Sequence, residues 1–177
     1  MSQKNLFSIK LYVVNSRFYY SGNLVGDWIK LPLENSILIK KLAEIQNGDN
    51  DYIVLGADAE FKCTIENDLD ILELNRKLSK LTNVDVDALK AISEYDTLSL
   101  MRIVDIALNK KYIIYENVMG EEELGYKLYK DQQLPFDIPD YLAKYVDFKA
   151  LGHAACIKES IHIIPSMHIA ERILYTD

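Results

Sequence analysis

The hydrophobic periodicity of this chain changes twice along its length, and these changes constrain the fold more than any single motif does. Residues 1–62 combine alternating apolar segments, such as FSIKLYVVN and DYIVLGA, with one stretch of helical spacing. Residues 63–109 show helical spacing alone, and residues 110–177 return to strand-like segments mixed with helical ones. The pattern therefore predicts an α+β protein built from three small units with these boundaries.

Three local patterns predict how particular elements begin or turn. Asn67 is the expected N-cap of the helical segment NDLDILELNRKLSKL. The segment FDIPDYLAKYVDFKALG predicts two short helices, the second opened by Asp147. The segment ESIHIIPSMHIAERILY predicts a β-hairpin that turns at Pro165–Ser166.

The charge balance limits the classes of partner. The net charge is −7 and the sequence pI is about 5.0. We therefore expect no direct binding of nucleic acid, because such binding depends on clustered Lys and Arg. Residues 1–48 hold 3 acidic and 6 basic side chains, whereas residues 49–105 hold 13 acidic and 6 basic ones. The acidity therefore lies beyond the N-terminal segment, and a basic protein partner is compatible with it.

The apolar segments and the cysteines indicate the compartment. No apolar run approaches the roughly 18 residues that a membrane-spanning helix needs, and the N-terminal segment lacks a signal-like apolar stretch. The only two cysteines, Cys63 and Cys156, are too few for a disulfide framework. We expect a cytoplasmic protein with reduced thiols and no contact with a membrane.

The sequence offers little catalytic chemistry. It has no glycine-rich phosphate loop and no G-x-S-x-G nucleophile motif, so we expect neither an enzymatic activity nor a cofactor. His153 lies three residues before Cys156, so the two side chains would be neighbours on a helix. We expect the structural interpretation instead, with Cys156 as a small core residue and His153 as a surface or cap side chain.

A zinc site is the main chemical alternative. His153, Cys156, His162 and His168 are ligand types that tetrahedral zinc accepts. A two-residue turn at Pro165–Ser166 would pair Ile164 with Met167 and His162 with Ile169. The two hairpin histidines would then point to opposite faces of the sheet, and a three-residue loop would reverse this. If the turn has two residues, we therefore expect no metal site.

Five motifs follow one another in an order that can be compared with known families. LYVVNSRFYYSGNLVGDWIKLPL contains G-x-L-x-G-x-W spacing, and DYIVLGADAEF follows it with a strand and an acidic turn. DILELNRKL contains an L-N-x-x-L arrangement at Leu74, Asn75 and Leu78, and GEEELGYKLYKD follows further along. IPDYLAKYVDFKALG completes the series with a Y-V-D-F-x-x-x-G signature. The signature residues are Tyr145, Val146, Asp147, Phe148 and Gly152.

Together these motifs resemble the ArdA antirestriction proteins, which are carried on conjugative plasmids and transposons. The resemblance covers nearly the whole chain. It implies an elongated three-part protein that forms a homodimer and imitates bent double-stranded DNA. Its surface carboxylates would stand in for phosphates and occupy the DNA-binding groove of type I restriction–modification enzymes. Such imitation requires the lysines to be segregated from the acidic face, or a dimer that aligns two such faces.

The density of negative charge, not the resemblance, selects the acids expected to take the phosphate-mimicking role, which are those of residues 58–96 and 121–147. These acids are Asp58, Glu60, Glu66, Asp68, Asp70, Glu73, Asp85, Asp87, Glu94, Asp96, Glu121, Glu122, Glu123, Asp131, Asp137, Asp140 and Asp147. Several of them stand where a helix begins and would also favour its dipole. The alternative hypothesis is an ArdA-like fold that binds another basic DNA-binding protein of a mobile element.

Overall fold

The computed structural model describes residues 7–174, apart from residues 50, 96 and 135 and the side chains of residues 84 and 95. Asp96 and the last residue of the predicted hairpin, Tyr175, therefore lie outside the described residues. The chain divides into two compact units, residues 1–109 and residues 110–177. Each unit contains a three-stranded antiparallel sheet together with helices. The predicted α+β class is confirmed, and the finer division into three units stays a prediction.

The sheet of the first unit has the strand order β2–β1–β3. Its strands are β1 (Ile9–Asn15), β2 (Gly26–Leu31) and β3 (Tyr52–Asp58). A short helix, α1 (Ser16–Tyr20), follows β1, and the Asn15 side chain caps it by accepting a hydrogen bond from the Phe18 amide. Alternate residues of β1 and β2, such as Leu11 and Ile29, are buried, so one face of the sheet belongs to the core.

Four further helices complete the first unit. They are α2 (Asn35–Gln46), α3 (Ile71–Leu78), α4 (Asn83–Tyr95) and α5 (Leu100–Leu108). Helix α2 contacts all three strands and buries Leu38, Leu42 and Ile45. Helix α5 contacts both α3 and α4 and buries Ile103 and Val104. Apolar residues at helical spacing thus produce the burial that their spacing predicts.

The start of α3 corrects one expectation. Asp70, not Asn67, is the N-cap, and its carboxylate accepts a hydrogen bond of 2.9 Å from the Glu73 amide. The carbonyl of Asn67 instead accepts a hydrogen bond from the Val54 amide of β3. The chain therefore runs beside the strand at Asn67 and can begin the helix only afterwards.

The second unit has the strand order β4–β6–β5. Its elements are β4 (Tyr112–Glu116), α6 (Glu121–Lys130), a 3₁₀ helix (Asp140–Tyr145), α7 (Phe148–Glu159), β5 (Ile161–Ile164) and β6 (Ile169–Ile173). Its core contains Tyr115 from β4, Val118 just after that strand, Leu124 and Leu128 from α6, and Ala170 from β6. No helix in the described part of the chain is long and apolar enough to cross a membrane.

Two local predictions in the second unit differ from the structure. The hairpin is present, but its connection spans Pro165–His168, so Ile164 pairs with Ile169 and His162 with Glu171. The reason is the 3₁₀ turn at Pro165–Met167, after which His168 adopts a left-handed conformation with φ of 56°. The two predicted helices are present as the 3₁₀ helix and α7, and Asp147 is the N-cap of α7 as predicted, but α7 is longer than expected because the chain stays helical to Glu159.

Candidate functional site

The acidic residues between β3 and α3 lie on a firmly held turn. The Leu69 amide donates to the Glu66 carbonyl at 3.2 Å, and the Val54 amide of β3 donates to the Asn67 carbonyl at 3.1 Å. The Tyr52 hydroxyl donates to the Leu69 carbonyl at 3.2 Å, and the Leu69 side chain is only 3% exposed. We call the segment Glu66–Asp70 the acidic turn. Two hydrogen bonds from β3 hold its backbone against the sheet, and the third closes the turn itself.

The carboxylates of the acidic turn point to solvent without a cation. Glu66, Asp68 and Asp70 are exposed, and none of them forms an ion pair with a residue that the structure describes. Burial raises the pKa of the nearby Tyr52 hydroxyl, and the negative charges of Asp70 and Asp51 raise it further. The turn therefore combines a rigid backbone with negative charge that no neighbouring side chain neutralises.

Asp51 is an acid that the sequence analysis did not include. It is exposed and lies close enough to Tyr52 to act on its pKa together with Asp70. Its position directly before β3 is the signal that could have identified it, because β3 runs beside the acidic turn. Asp51 thus extends the negative surface beyond the turn.

A second group of the predicted acids is neutralised by neighbouring cations. Lys10 lies 2.9 Å from Asp58, Lys90 lies 2.7 Å from Glu60, and Lys62 lies 3.1 Å from Glu94. Glu73 lies 2.5 Å from the Arg76 guanidinium, and the hydrogen bond between them lowers the pKa of Glu73. Asp87 is exposed near Lys90. Lysines are therefore interspersed among these acids instead of being segregated from them.

Asp85 is buried, which corrects its expected place on an acidic surface. It is 2% exposed, and its carboxylate accepts hydrogen bonds of 2.7 Å from both the amide and the hydroxyl of Thr82. The Asp85 amide lies 3.4 Å from the Thr82 hydroxyl oxygen in return. This reciprocal arrangement resembles a capping box at the start of α4, so the carboxylate of Asp85 stabilises the N-terminus of that helix.

The acids of α6 lie at its N-terminus, where they complement the helix dipole. Glu121, Glu122 and Glu123 form the first turn. The Glu121 carboxylate lies 2.7 Å from His153 Nδ1 of α7. Glu122 and Glu123 are exposed and have no ion-pair partner among the residues described. These two carboxylates are the freest charges of the helix.

The remaining acids of the second unit have different partners. Asp131 lies 3.6 Å from Lys127, and Asp140 accepts a hydrogen bond of 2.5 Å from the Tyr129 hydroxyl, which raises the pKa of Tyr129. Asp147 caps α7 by accepting a hydrogen bond from the Ala150 amide. Asp137 is exposed and has no ion pair within the described part of this unit.

The Y-V-D-F-x-x-x-G signature has a structural role at the crossing of α6 and α7. Asp147 is the N-cap of α7, and the Phe148 ring lies 5.3 Å from the Tyr126 ring and 5.4 Å from the Tyr129 ring. A Cβ atom added to Gly152 would lie 1.8 Å from the Glu121 carbonyl oxygen. The signature thus allows the two helices to pack closely and fixes where the acids of α6 stand.

The residues of the alternative zinc site do not assemble. His153 contacts Glu121, His162 lies 3.1 Å from the buried Glu171, and His168 belongs to the hairpin loop. Among the described residues there is no group of three or more His, Cys, Asp or Glu side chains that could hold a metal ion. Burial also raises the pKa of the Cys156 thiol, which keeps it protonated near neutral pH and weakens it as a nucleophile.

These features define the class of protein. Two sheet-and-helix units present carboxylates on firmly held turns and helix ends, and the described residues assemble no metal-binding cluster. A family model described as antirestriction protein (ArdA) matches residues 11–169 of the 177-residue chain, and the chain belongs to this family. The resemblance that the motifs indicated is confirmed. The family's function is antirestriction, which is directed against restriction enzymes. No curated protein sequence matches the chain.

Proposed function

We propose that the protein imitates double-stranded DNA with its surface carboxylates and occupies the DNA-binding groove of type I restriction–modification enzymes. The observation that carries this proposal is the acidic turn, in which Glu66, Asp68 and Asp70 are exposed on a backbone held by three hydrogen bonds. A groove that binds DNA presents Lys and Arg to phosphates. Carboxylates that are already held in place lose little conformational entropy when such a groove binds them.

The acids can be ranked by their expected contribution to binding, according to whether each already has a cationic partner. A carboxylate without a cation is available to the groove at once, whereas a paired one must first exchange its partner. Exposed ion pairs are worth only about 0–1 kcal/mol, so a cation of the enzyme can replace the protein's own lysine or arginine at a small cost in free energy. The proposed surface therefore has unpaired acids as its main contributors and paired acids as secondary ones.

The proposed surface has two parts. The main contributors have no cation beside them among the described residues and are Glu66, Asp68, Asp70, Glu122, Glu123, Asp137, Asp140 and Asp147, with Asp51 added. The secondary ones lie near a cation or a histidine and are Asp58, Glu60, Glu73, Asp87, Glu94, Glu121 and Asp131. Asp96 keeps its place in the proposal on sequence grounds alone, and Asp85 is left out because it is buried.

A competition assay tests the proposal directly. A purified type I methyltransferase is bound to a fluorescent duplex that contains its recognition site, and the protein is then titrated into the complex. We expect the protein to displace the duplex, because both ligands would occupy the same groove. Binding that leaves the duplex in place would contradict imitation of DNA, and so would an absence of binding.

Two triple variants of equal charge change test which acids act. The first variant carries Glu66→Gln, Asp68→Asn and Asp70→Asn, and asparagine still caps α3. The matched control carries Asp58→Asn, Glu60→Gln and Glu94→Gln, whose parent acids are all paired with lysines. We expect the first variant to displace the duplex about tenfold less well, which is about 0.5 kcal/mol for each carboxylate. The control should lose clearly less of its ability to displace the duplex. Circular dichroism should show that both variants are folded.

The second candidate function is binding to another basic DNA-binding protein of a mobile element. It is favoured by the number of acids that already have cationic partners, since one turn of duplex DNA carries about 20 phosphate charges. A smaller basic surface would need fewer free carboxylates. Capture of such a partner by a protein that does not displace duplex from the methyltransferase would support this candidate against the first.

The assembly that we propose is a homodimer formed through the second unit. Exposed apolar side chains there include Ile157 at 69% and Met119 at 54% exposure, and β4 and β5 are the edge strands of the sheet. Light scattering at micromolar concentration should give twice the mass of one chain, and a monomer would contradict the proposal. Because restriction enzymes act on DNA inside the cell, the proposed location is the cytoplasm.

A further inference from the structure

The outer face of the first unit's sheet carries aromatic and basic side chains. Lys10 and Tyr12 of β1 alternate with Ile9 and Leu11, which are fully buried. On β2, Trp28 and Lys30 alternate with Ile29 and Leu31 in the same way. Because successive side chains of a strand point to opposite faces, these four residues share the face away from the core. We call Lys10, Tyr12, Trp28 and Lys30 the aromatic–lysine face.

The two rings of this face form an exposed platform. Tyr12 and Trp28 stand directly opposite each other across β1 and β2, with ring centroids 5.2 Å apart and planes inclined by 41°. Trp28 is 46% exposed. On the other side of Tyr12, the paired residue of β3 is Gly56, and a Cβ atom added there would meet no atom within 4 Å. The platform therefore has open space beside it.

The two lysines of the face are also directly opposite each other. Lys10 pairs with Lys30 across the strands, an arrangement in which like charges repel and lower the stability of the sheet. Asp58 of β3 lies 2.9 Å from Lys10, but Lys30 has no ion-pair partner among the described residues. At about 3.3 Å of rise per residue, the lysine row lies about 7 Å from the aromatic row. Asp58 offsets part of this repulsion, and Lys30 is left as an exposed positive charge beside the rings, where an anionic ligand could meet it.

We propose that the aromatic–lysine face binds single-stranded nucleic acid, with a base stacked on the Tyr12–Trp28 platform and backbone phosphates held by the two lysines. An unpaired base offers the flat surface that such rings recognise, while duplex DNA keeps its bases stacked inside. An acidic protein surface would use the lysines but offers no unpaired base to stack on the rings, and the test below includes this alternative.

The charge distribution agrees with this local assignment. Residues 1–48 contain 6 basic and 3 acidic side chains within a chain whose net charge is −7. The acidity of the whole chain led to the expectation that it does not bind nucleic acid directly, and the proposal sets that expectation aside for this one face. The inference differs from DNA imitation in its ligand, and the two proposed surfaces meet at Asp58, which lies 2.9 Å from Lys10.

The site contains its own probe. Trp28 is the only tryptophan of the chain, so its fluorescence reports on this face alone. The protein is titrated with a single-stranded thymidine octanucleotide at low salt. We expect saturable quenching of Trp28, because a base would stack on its ring. If two phosphates are contacted, a plot of the logarithm of the binding constant against the logarithm of salt concentration should have a slope of about −1.4. In Lys30→Ala, where one contact is lost, the slope should be about −0.7.

Matched variants separate the face from general charge effects. Lys40→Ala removes the same charge from an exposed position on α2, and we expect it to leave affinity and slope unchanged. Tyr12→Leu keeps an apolar side chain but removes the ring, and we expect roughly tenfold weaker binding. Circular dichroism of each variant should match that of the parent protein, so that a loss of binding is not a loss of fold.

Four outcomes would overturn the proposal. They are an absence of quenching, an equal loss of affinity in Lys30→Ala and Lys40→Ala, a duplex of the same length that binds as well as the single strand, and polyglutamate that displaces the oligonucleotide at matched charge. The last outcome would assign the face to an acidic protein instead. None of them bears on whether the acidic turn displaces DNA from a methyltransferase.

Discussion

Asn75 is the residue that most clearly joins distant parts of the first unit. It is 2% exposed, and its amide nitrogen donates to the Leu33 carbonyl at 2.8 Å and to the Asn35 side chain at 2.9 Å. Its side-chain oxygen accepts a hydrogen bond of 2.8 Å from the Leu33 amide. One side chain thus ties α3 to the chain just before and at the start of α2. The L-N-x-x-L motif that resembled the family has this structural reason.

Replacing Asn75 tests that role. In Asn75→Ala three hydrogen bonds are lost and the polar groups of Leu33 are left without these partners, so we expect the free energy of unfolding to fall by about 3 kcal/mol. Urea denaturation followed by Trp28 fluorescence measures the change, because Trp28 lies in the same unit. The control is Asn67→Ala, at an exposed position, which should change stability by less than about 0.5 kcal/mol. Equal effects would contradict the role given to Asn75.

At the scale of elements, the crossing of α6 and α7 organises the second unit. A Cβ atom on Gly125 would lie 1.9 Å from the Phe148 carbonyl oxygen, and one on Gly152 would lie 1.8 Å from the Glu121 carbonyl oxygen. The two helices therefore meet backbone to backbone, as helices do where both carry glycine at the contact. This contact also determines where the carboxylates at the start of α6 stand relative to α7.

Gly152→Ala should separate the two helices. Alanine favours an isolated helix by about 1 kcal/mol over glycine, so any net loss of stability must come from the contact. We expect the free energy of unfolding to fall by about 3 kcal/mol, because the new methyl group meets backbone atoms that cannot move aside. Thermal unfolding followed by far-ultraviolet circular dichroism measures the change.

Gly56→Ala is the control for this substitution. A Cβ atom at Gly56 meets nothing within 4 Å, and its φ is not in the left-handed region, so we expect a change of less than about 1 kcal/mol. A Gly152→Ala protein that is as stable as the parent would refute the close contact between α6 and α7.

At the scale of the whole molecule, the charge is unevenly distributed along the sequence. Residues 49–105 hold 13 acidic and 6 basic side chains, while the N-terminal 48 residues have an excess of bases. Such a distribution attracts a basic partner towards particular segments of the chain and repels an acidic one. Interactions between exposed charges are screened over about 10 Å at 0.1 M salt, so this attraction depends on ionic strength.

The association with a type I methyltransferase should therefore weaken as salt is added. We expect the dissociation constant to rise at least about tenfold between about 0.1 M and about 0.5 M sodium chloride, because the proposed contacts are between exposed charges. Surface plasmon resonance at several salt concentrations measures this, and the rise should come largely from slower association. Affinity that stays constant with salt would count against carboxylates as the binding groups.

The sequence by itself determined the class of the fold, the order of most strands and helices, and the family. These properties are local, because periodicity decides whether a segment such as FSIKLYVVN becomes a strand, and motif order does not depend on contacts. The acids at the start of α6 were correctly placed for the same reason. Even the cap of α7 at Asp147 could be read from its neighbours.

Only the tertiary structure decided which carboxylates are free, paired or buried. Asp58 meets Lys10 across 48 positions of sequence, and Glu94 meets Lys62 across 32. The cap of α3 moved from Asn67 to Asp70 because a distant strand binds the Asn67 carbonyl. Burial and ion pairing depend on which segments pack together, and the periodicity of one segment does not indicate which distant segment it packs against. The acidic turn became recognisable only once β3 was seen to hold it.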